Sequence, residues 1–130
     1  MSDEVAANRL IVGVVGAGTM GAGIAQVCLQ AGHEVLLHDV DHGAVERGHG
    51  RIADGLAKLV DKGRLTADDR ARLLAALREA DSLEDVARES DLVVEAALED
   101  MALKQTIFRA LSAAARPDAI LANNTSDLSV

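Results

Sequence analysis

Glycines at positions 16, 18 and 21 stand between a run that reads as a strand and a segment that reads as a helix, and few folds accommodate that junction. Ahead of them, Arg9 to Val15 carries Leu-Ile-Val-Gly-Val-Val, a continuous apolar run of the kind buried on both faces of a parallel sheet. Behind them, Met20, Ile24, Val27, Cys28 and Ala31 recur at helical spacing, and Gly32 follows where a left-handed helix stop favours glycine. Glu34 to Asp39 is a second short apolar run ending on an acid. The three segments together predict a strand, helix, strand unit with a right-handed crossover.

In such a turn each glycine removes a Cβ for a separate reason. Gly16 permits the tight exit from the strand, Gly18 lets the backbone approach a pyrophosphate, and Gly21 allows close packing of helix on strand. The backbone of Gly16, Ala17, Gly18, Thr19, Met20 and Gly21 would then aim N–H groups and the positive end of a helix dipole at the phosphates. Asp39 follows Gly21 by 18 residues, close to the ~20 at which an acid meets the adenosine ribose. On its own Asp39 reads as a polar strand end; with the glycines it predicts NAD rather than NADP, whose extra phosphate it would repel.

Further along, Val45, Ile52, Leu56 and Leu59 form one face of a long helix ending near Gly63, and Thr66 to Asp69 fits a capping box. Leu73, Leu74 and Leu77 extend a second helix, so residues 43–80 are expected to form a projecting helical hairpin. A short helix at Leu83 to Glu89, a buried strand in Asp91 to Ala96, a helix face at Leu103, Ile107, Leu111 and Ala114 closed by Pro117, and a strand in Ala119 to Asn123 complete the pattern. The expected architecture is one α/β domain over residues 1–130, a Rossmann-type doubly wound parallel sheet with a helical hairpin inserted.

Composition excludes other classes. The 130 residues carry a net charge of −8 and one aromatic side chain, Phe108, which argues against nucleic acid and anionic membrane surfaces as partners. No stretch reaches the ~20 apolar residues of a membrane span. The single cysteine, Cys28, makes an intrachain disulfide or a cysteine metal cage impossible and fits a cytoplasmic location. No metal site is expected. His33, His38, His42 and His49 fall on a turn, a strand and a solvated helix and offer no catalytic setting.

The residues resemble the amino-terminal domain of the NAD-dependent 3-hydroxyacyl-CoA dehydrogenases over essentially the whole chain. The likeness rests on Val14 to Gln26, on Lys58-Leu-Val-Asp-Lys-Gly-Arg-Leu65, on Asp91 to Ala96 with Glu99 and Lys104, and on Asn123-Asn-Thr-Ser126. It implies hydride transfer between C3 of a 3-hydroxyacyl-CoA and nicotinamide, giving the 3-ketoacyl-CoA, in fatty-acid β-oxidation or related metabolism. By similarity, Glu99 and Lys104 lie near the cofactor and Ser126 hydrogen-bonds the reacting oxygen. Lys62 contacts coenzyme A on the hairpin, and Lys58 and Arg64 add positive charge for its phosphates. Gly55 replaces a small hydroxyl residue at a CoA-contacting position, and Asp127 replaces a second serine. As bare sequence, Ser126 reads equally as a turn serine, and the lysines as a solvated helix end.

The family's general base is a histidine oriented by a glutamate, both expected beyond Val130, as is the helical carboxy-terminal domain that forms the homodimer. The chain is therefore expected to be a truncated or separated cofactor domain. A dehydrogenase of another hydroxy acid and a non-catalytic NAD-binding regulatory module remain alternatives.

Overall fold

A computed structural model of the chain describes residues 9–96 and 120–123. Within them lie five strands, β1 (Ile11–Val15), β2 (Glu34–His38), β3 (Leu77–Glu79), β4 (Leu92–Glu95) and β5 (Ile120–Asn123). Four described helices lie between β1 and β4: α1 (Thr19–Gln30), α2 (His42–Asp61), α3 (Ala67–Ala75) and α4 (Leu83–Glu89). All strands pair in parallel in the order β3-β2-β1-β4-β5. The chain therefore winds outward from β1 to one edge, then crosses back over β2 and β1 to start again at β4. In open sheets wound this way, ligands bind in the crevice outside the carboxyl ends of the strands where the direction of winding reverses, here between β1 and β4.

The alternation of strand side chains splits the core in two. Val12, Val14, Val35, Leu37 and Leu77 turn to one face, where Ala22, Ala25 and Leu29 of α1, Val45, Ile52 and Leu56 of α2, and Leu73 of α3 cover them. Val15, Leu36 and Val93 turn to the other face beneath Val86 and Ala87 of α4. Gly13 sits where α4 comes closest: a Cβ there would lie 3.2 Å from Cβ of Ser90.

Helix ends follow local chemistry. Gly32 closes α1 with φ of 96°, a conformation strained for residues with a Cβ. Asp41 caps α2 by accepting from Gly43 N–H, and Ser82 caps α4 by accepting from Asp85 N–H. Thr66 and Asp69 complete the expected capping box.

Two expectations need correction. The buried face of α1 is Gly21, Ala22, Ala25 and Leu29, whereas Met20 and Val27 of the expected stripe are 55% and 67% exposed. Close approach of this helix to the sheet favours small side chains over large ones at the contact. Leu77 does not continue α3: the helix stops at Ala75, and Leu77–Glu79 forms the edge strand β3 against β2. Three residues with two charged are too short to show a period. The expected helix face from Leu103 to Ala114 lies outside the described residues.

Candidate functional site

The carboxyl ends of β1 and β2 are bound to each other through the glycine turn. The Gly16 N–H donates to the carbonyl of His38 at 2.7 Å, extending the β1–β2 ladder by one bond, and its φ of 108° then turns the chain out of the strand. Ala17 N–H, wholly buried, donates to Oδ2 of Asp39 at 2.9 Å, and Oδ1 of the same carboxylate accepts from Asp41 N–H at 2.9 Å. Asp39 is thus held in place from two sides by main-chain donors. A carboxylate offers about four acceptor positions, so both oxygens keep capacity for ribose hydroxyls.

The glycines divide as their geometry requires. A Cβ at Gly21 would overlap the carbonyl oxygen of Gly16 and lie 2.8 Å from its carbonyl carbon, so only glycine lets α1 begin so close to β1. Among the described residues a Cβ at Gly18 would meet nothing within 4 Å, which leaves the space beside it open to a ligand. Gly18 is the cap of α1 and provides no side-chain acceptor, and Ala22 N–H to Gly18 oxygen closes the first helical hydrogen bond. The positive end of the α1 dipole, about half an elementary charge, therefore meets the crevice without a side chain in front of it. An anionic diphosphate fits this cradle: open space at Gly18, main-chain donors around it, and a ribose acceptor at Asp39.

Glu95 at the end of β4 is 1% exposed and lies in register with Val15, directly beside the turn. Its burial was not foreseen, because the apolar run around it shows where β4 is and not what its last residue faces.

The opposite side of the β2 exit holds an ionic junction. Nδ1 of His42 lies 2.6 Å from Glu79 Oε2 and Nε2 lies 3.3 Å from Glu46 Oε1, so both ring nitrogens face carboxylates. The Glu79 hydrogen bond, followed by its charge, raises the pKa of His42 above the ordinary 6.5. A raised folded value means that the junction contributes stability fully below the unfolded pKa and loses it as pH rises through the folded one. A proton NMR titration should place His42 above an unfolded histidine, and His42→Asn should remove this part of the pH dependence of Tm. A His42 titration matching that of a denatured peptide would contradict the junction.

Beyond the turn, α2 runs on to the hairpin tip. Gly48 faces Ala17, where a Cβ would come within 2.7 Å of its carbonyl oxygen, so α2 is seated against the turn. From there Lys62 lies about 20 Å further along the axis, at ~1.5 Å per residue. Lys58, in the last turn of α2, and Lys62, its cap residue, are exposed, as is Arg64 just after Gly63. Gly55 packs against the side chain of Gln26 on α1.

Residues 11–130 match the family described as 3-hydroxyacyl-CoA dehydrogenase, NAD binding domain. The chain belongs to this family. Its cofactor is NAD. A 3-hydroxybutyryl-CoA dehydrogenase of Clostridioides difficile is 38% identical over 117 residues, which are 90% of this chain and 41% of that protein. A 3-hydroxyadipyl-CoA dehydrogenase of Escherichia coli is 40% identical over 123 residues, 95% of this chain and 26% of that protein. The crystal structure of (S)-3-hydroxybutyryl-CoA dehydrogenase from Ralstonia eutropha superposes with a TM-score of 0.85 at 39% identity, over 92% of this chain and 42% of that one. The chain spans about two fifths of the length of such 3-hydroxybutyryl-CoA dehydrogenases.

Against the family's expected site, the structure brings together Gly16, Ala17, Gly18, Thr19, Met20, Gly21 and Asp39 at one sheet edge, and places Gly55 and Lys62 along α2. Glu99, Lys104, Ser126 and Asp127 lie outside the described residues. Cys28 is half-buried, and burial pushes its thiol pKa up, which suits a packing residue rather than a nucleophile. Among the described residues no three His, Cys, Asp or Glu side chains are grouped to hold a metal, and no helix is long and apolar enough to cross a membrane.

Proposed function

We propose that this chain is the part of a 3-hydroxyacyl-CoA dehydrogenase that holds and orients NAD while (S)-3-hydroxyacyl-CoA is oxidised to 3-ketoacyl-CoA, in fatty-acid β-oxidation or related acyl-CoA metabolism. The observation that carries this reading is the glycine turn locked to Asp39 at the switch point, in a chain matched by the family's NAD-binding domain. When bound, NAD supplies the hydride acceptor. The chain's own residues do the rest of the holding. The Gly16 and Ala17 N–H groups close the turn on His38 and Asp39, main-chain N–H groups at the start of α1 from Gly18 to Gly21 face the pyrophosphate, and Asp39, fixed by Ala17 and Asp41, accepts from the adenosine ribose. The open side of Gly18 lets the diphosphate approach without a Cβ in its path.

Glu99 and Lys104 flank the cofactor further along, Ser126 hydrogen-bonds the substrate oxygen, and Lys62 contacts coenzyme A; these roles rest on resemblance. The enzyme works in the cytoplasm as a homodimer.

The proton released from the substrate hydroxyl needs a base, and the described histidines are engaged or remote. His33 Nδ1 accepts from Leu10 N–H, His38 Nδ1 bonds the carbonyl of Ala80, and His42 lies between two glutamates. His49 is exposed on α2. In the family this base is a histidine carried on sequence after the segment matched here. The 130-residue chain is accordingly expected to bind NADH by calorimetry and to reduce acetoacetyl-CoA ~100- to 10,000-fold more slowly than a relative carrying the base. Turnover equal to such a relative would refute this assignment of the base. No binding at millimolar NADH would refute the cofactor site.

A further inference from the structure

The charges on α2 are sorted by flank. Arg51, Gly55, Lys58 and Lys62 are spaced i, i+4, i+7 and i+11, so they share one stripe along the helix. That stripe adjoins the line along which α2 meets α1, because Gly48 faces Ala17 and Gly55 faces Gln26. Asp54 and Asp61 border it on the outer face, three residues on from Arg51 and Lys58, and Glu46 lies on the other flank. Arg51, Lys58 and Lys62 are exposed, and none of them pairs with an acid among the described residues. Elsewhere Arg47 pairs with Asp41, Arg72 with Asp69, Arg78 with Glu89 and Arg88 with Asp85, and Arg70 donates to the carbonyl of Ala53 on α2. In a chain of net charge −8, three cations left without acids on one stripe mark a surface suited to an anion.

The centre of the stripe is Gly55, and its missing side chain is replaced from the other helix. A Cβ at Gly55 would overlap Oε1 of Gln26 and lie 3.0 Å from its Cδ and 3.2 Å from its Nε2. The carboxamide of Gln26 therefore sits where a residue at position 55 would reach. Nε2 donates to Gln30 Oε1 at 3.3 Å, which leaves its second hydrogen and Oε1 for another partner.

We propose that Arg51 and the Gln26 carboxamide extend the coenzyme A contact of Lys58 and Lys62 along the seam where α2 packs on α1, Arg51 meeting a phosphate and Gln26 hydrogen-bonding where position 55 has no side chain. This inference rests on the acyl-CoA reading above. A guanidinium binds phosphate through paired N–H groups, which a lysine cannot reproduce, so Arg51 supplies geometry as well as charge.

The test is a nitrogen-15 NMR titration of the 130-residue chain with coenzyme A, repeated with 3′-dephospho-coenzyme A and with NADH. Coenzyme A should shift the Arg51 Nε and Gln26 side-chain signals together with Lys62, and NADH should not. Arg51→Ala should weaken coenzyme A binding about tenfold at low salt and lower its salt dependence, with NADH affinity unchanged. Gln26→Ala should weaken it less, and adding Gly55→Ser to that variant should restore part of the loss. Shifts at Lys58 and Lys62 that spare Arg51 and Gln26 would overturn the inference and leave the acyl-CoA reading standing. No shift anywhere on α2 at millimolar coenzyme A would overturn both. Equal shifts at Arg51 with NADH would assign the stripe to the cofactor and overturn the inference alone.

Discussion

Gly18→Ala should leave the fold intact and abolish useful NADH binding, whereas Gly21→Ala should damage both. At Gly18 an added methyl meets no atom of the described residues within 4 Å and the backbone φ of −72° suits alanine, so stability should change by about 1 kcal/mol or less, the worth of a cap residue. The same methyl points into the space through which a diphosphate must approach the main chain, and NADH affinity should fall more than ~10-fold. At Gly21 the methyl overlaps the Gly16 carbonyl, a backbone atom that cannot move without displacing the end of β1. Overpacking of this kind costs about 1–3 kcal/mol, which for a domain of this size lowers Tm by roughly 3–15 °C. Thermal melts and NADH calorimetry on the two variants separate these effects. A Gly18→Ala chain that binds NADH normally would remove the glycine turn from the cofactor site.

Asp39→Ala should weaken NADH by about 10- to 100-fold, the equivalent of ~1.5–3 kcal/mol for hydrogen bonds to an ionised acceptor. Two losses combine: the ribose acceptor goes, and Ala17 N–H and Asp41 N–H lose the group that fixes the turn. Discrimination against NADPH should relax as well, since the negative charge beside the ribose is gone. Asp39→Asn separates charge from geometry, because the amide still has one oxygen to accept from Ala17 but no longer repels a phosphate. Paired NADH and NADPH titrations decide the matter; an unaltered preference in both variants would show that Asp39 serves only to close the turn.

Much of this is legible in the sequence alone, and the reasons differ from residue to residue. Gly16 to Gly21 and Asp39 could be read because backbone geometry allows few substitutes there, and Thr66 to Asp69 because a capping box is local chemistry. The buried face of α1 was misread since periodicity follows the large side chains Met20 and Val27, while packing distance is decided by Gly21, Ala22 and Ala25. β3 was hidden in Leu77-Arg78-Glu79, whose pairing with β2 is made by main-chain groups that composition does not reveal. Gln26 and Arg51 were invisible for another reason: what an absent side chain at Gly55 means depends on the helix that lies opposite it.

His38 carries a consequence for how the cofactor edge behaves as a unit. Its carbonyl accepts from Gly16 and its ring reaches the carbonyl of Ala80 at 3.1 Å, just past the end of β3. A carbonyl only accepts, so the neutral ring must carry its hydrogen on Nδ1, leaving Nε2 bare. One imidazole thereby records, in its tautomer, whether the turn, β2 and the outer strand hold their native spacing. Its two ring nitrogens resonate far apart when the tautomer is fixed and converge when it exchanges, so this side chain is a spectroscopic gauge of the cradle that lies outside the cradle itself.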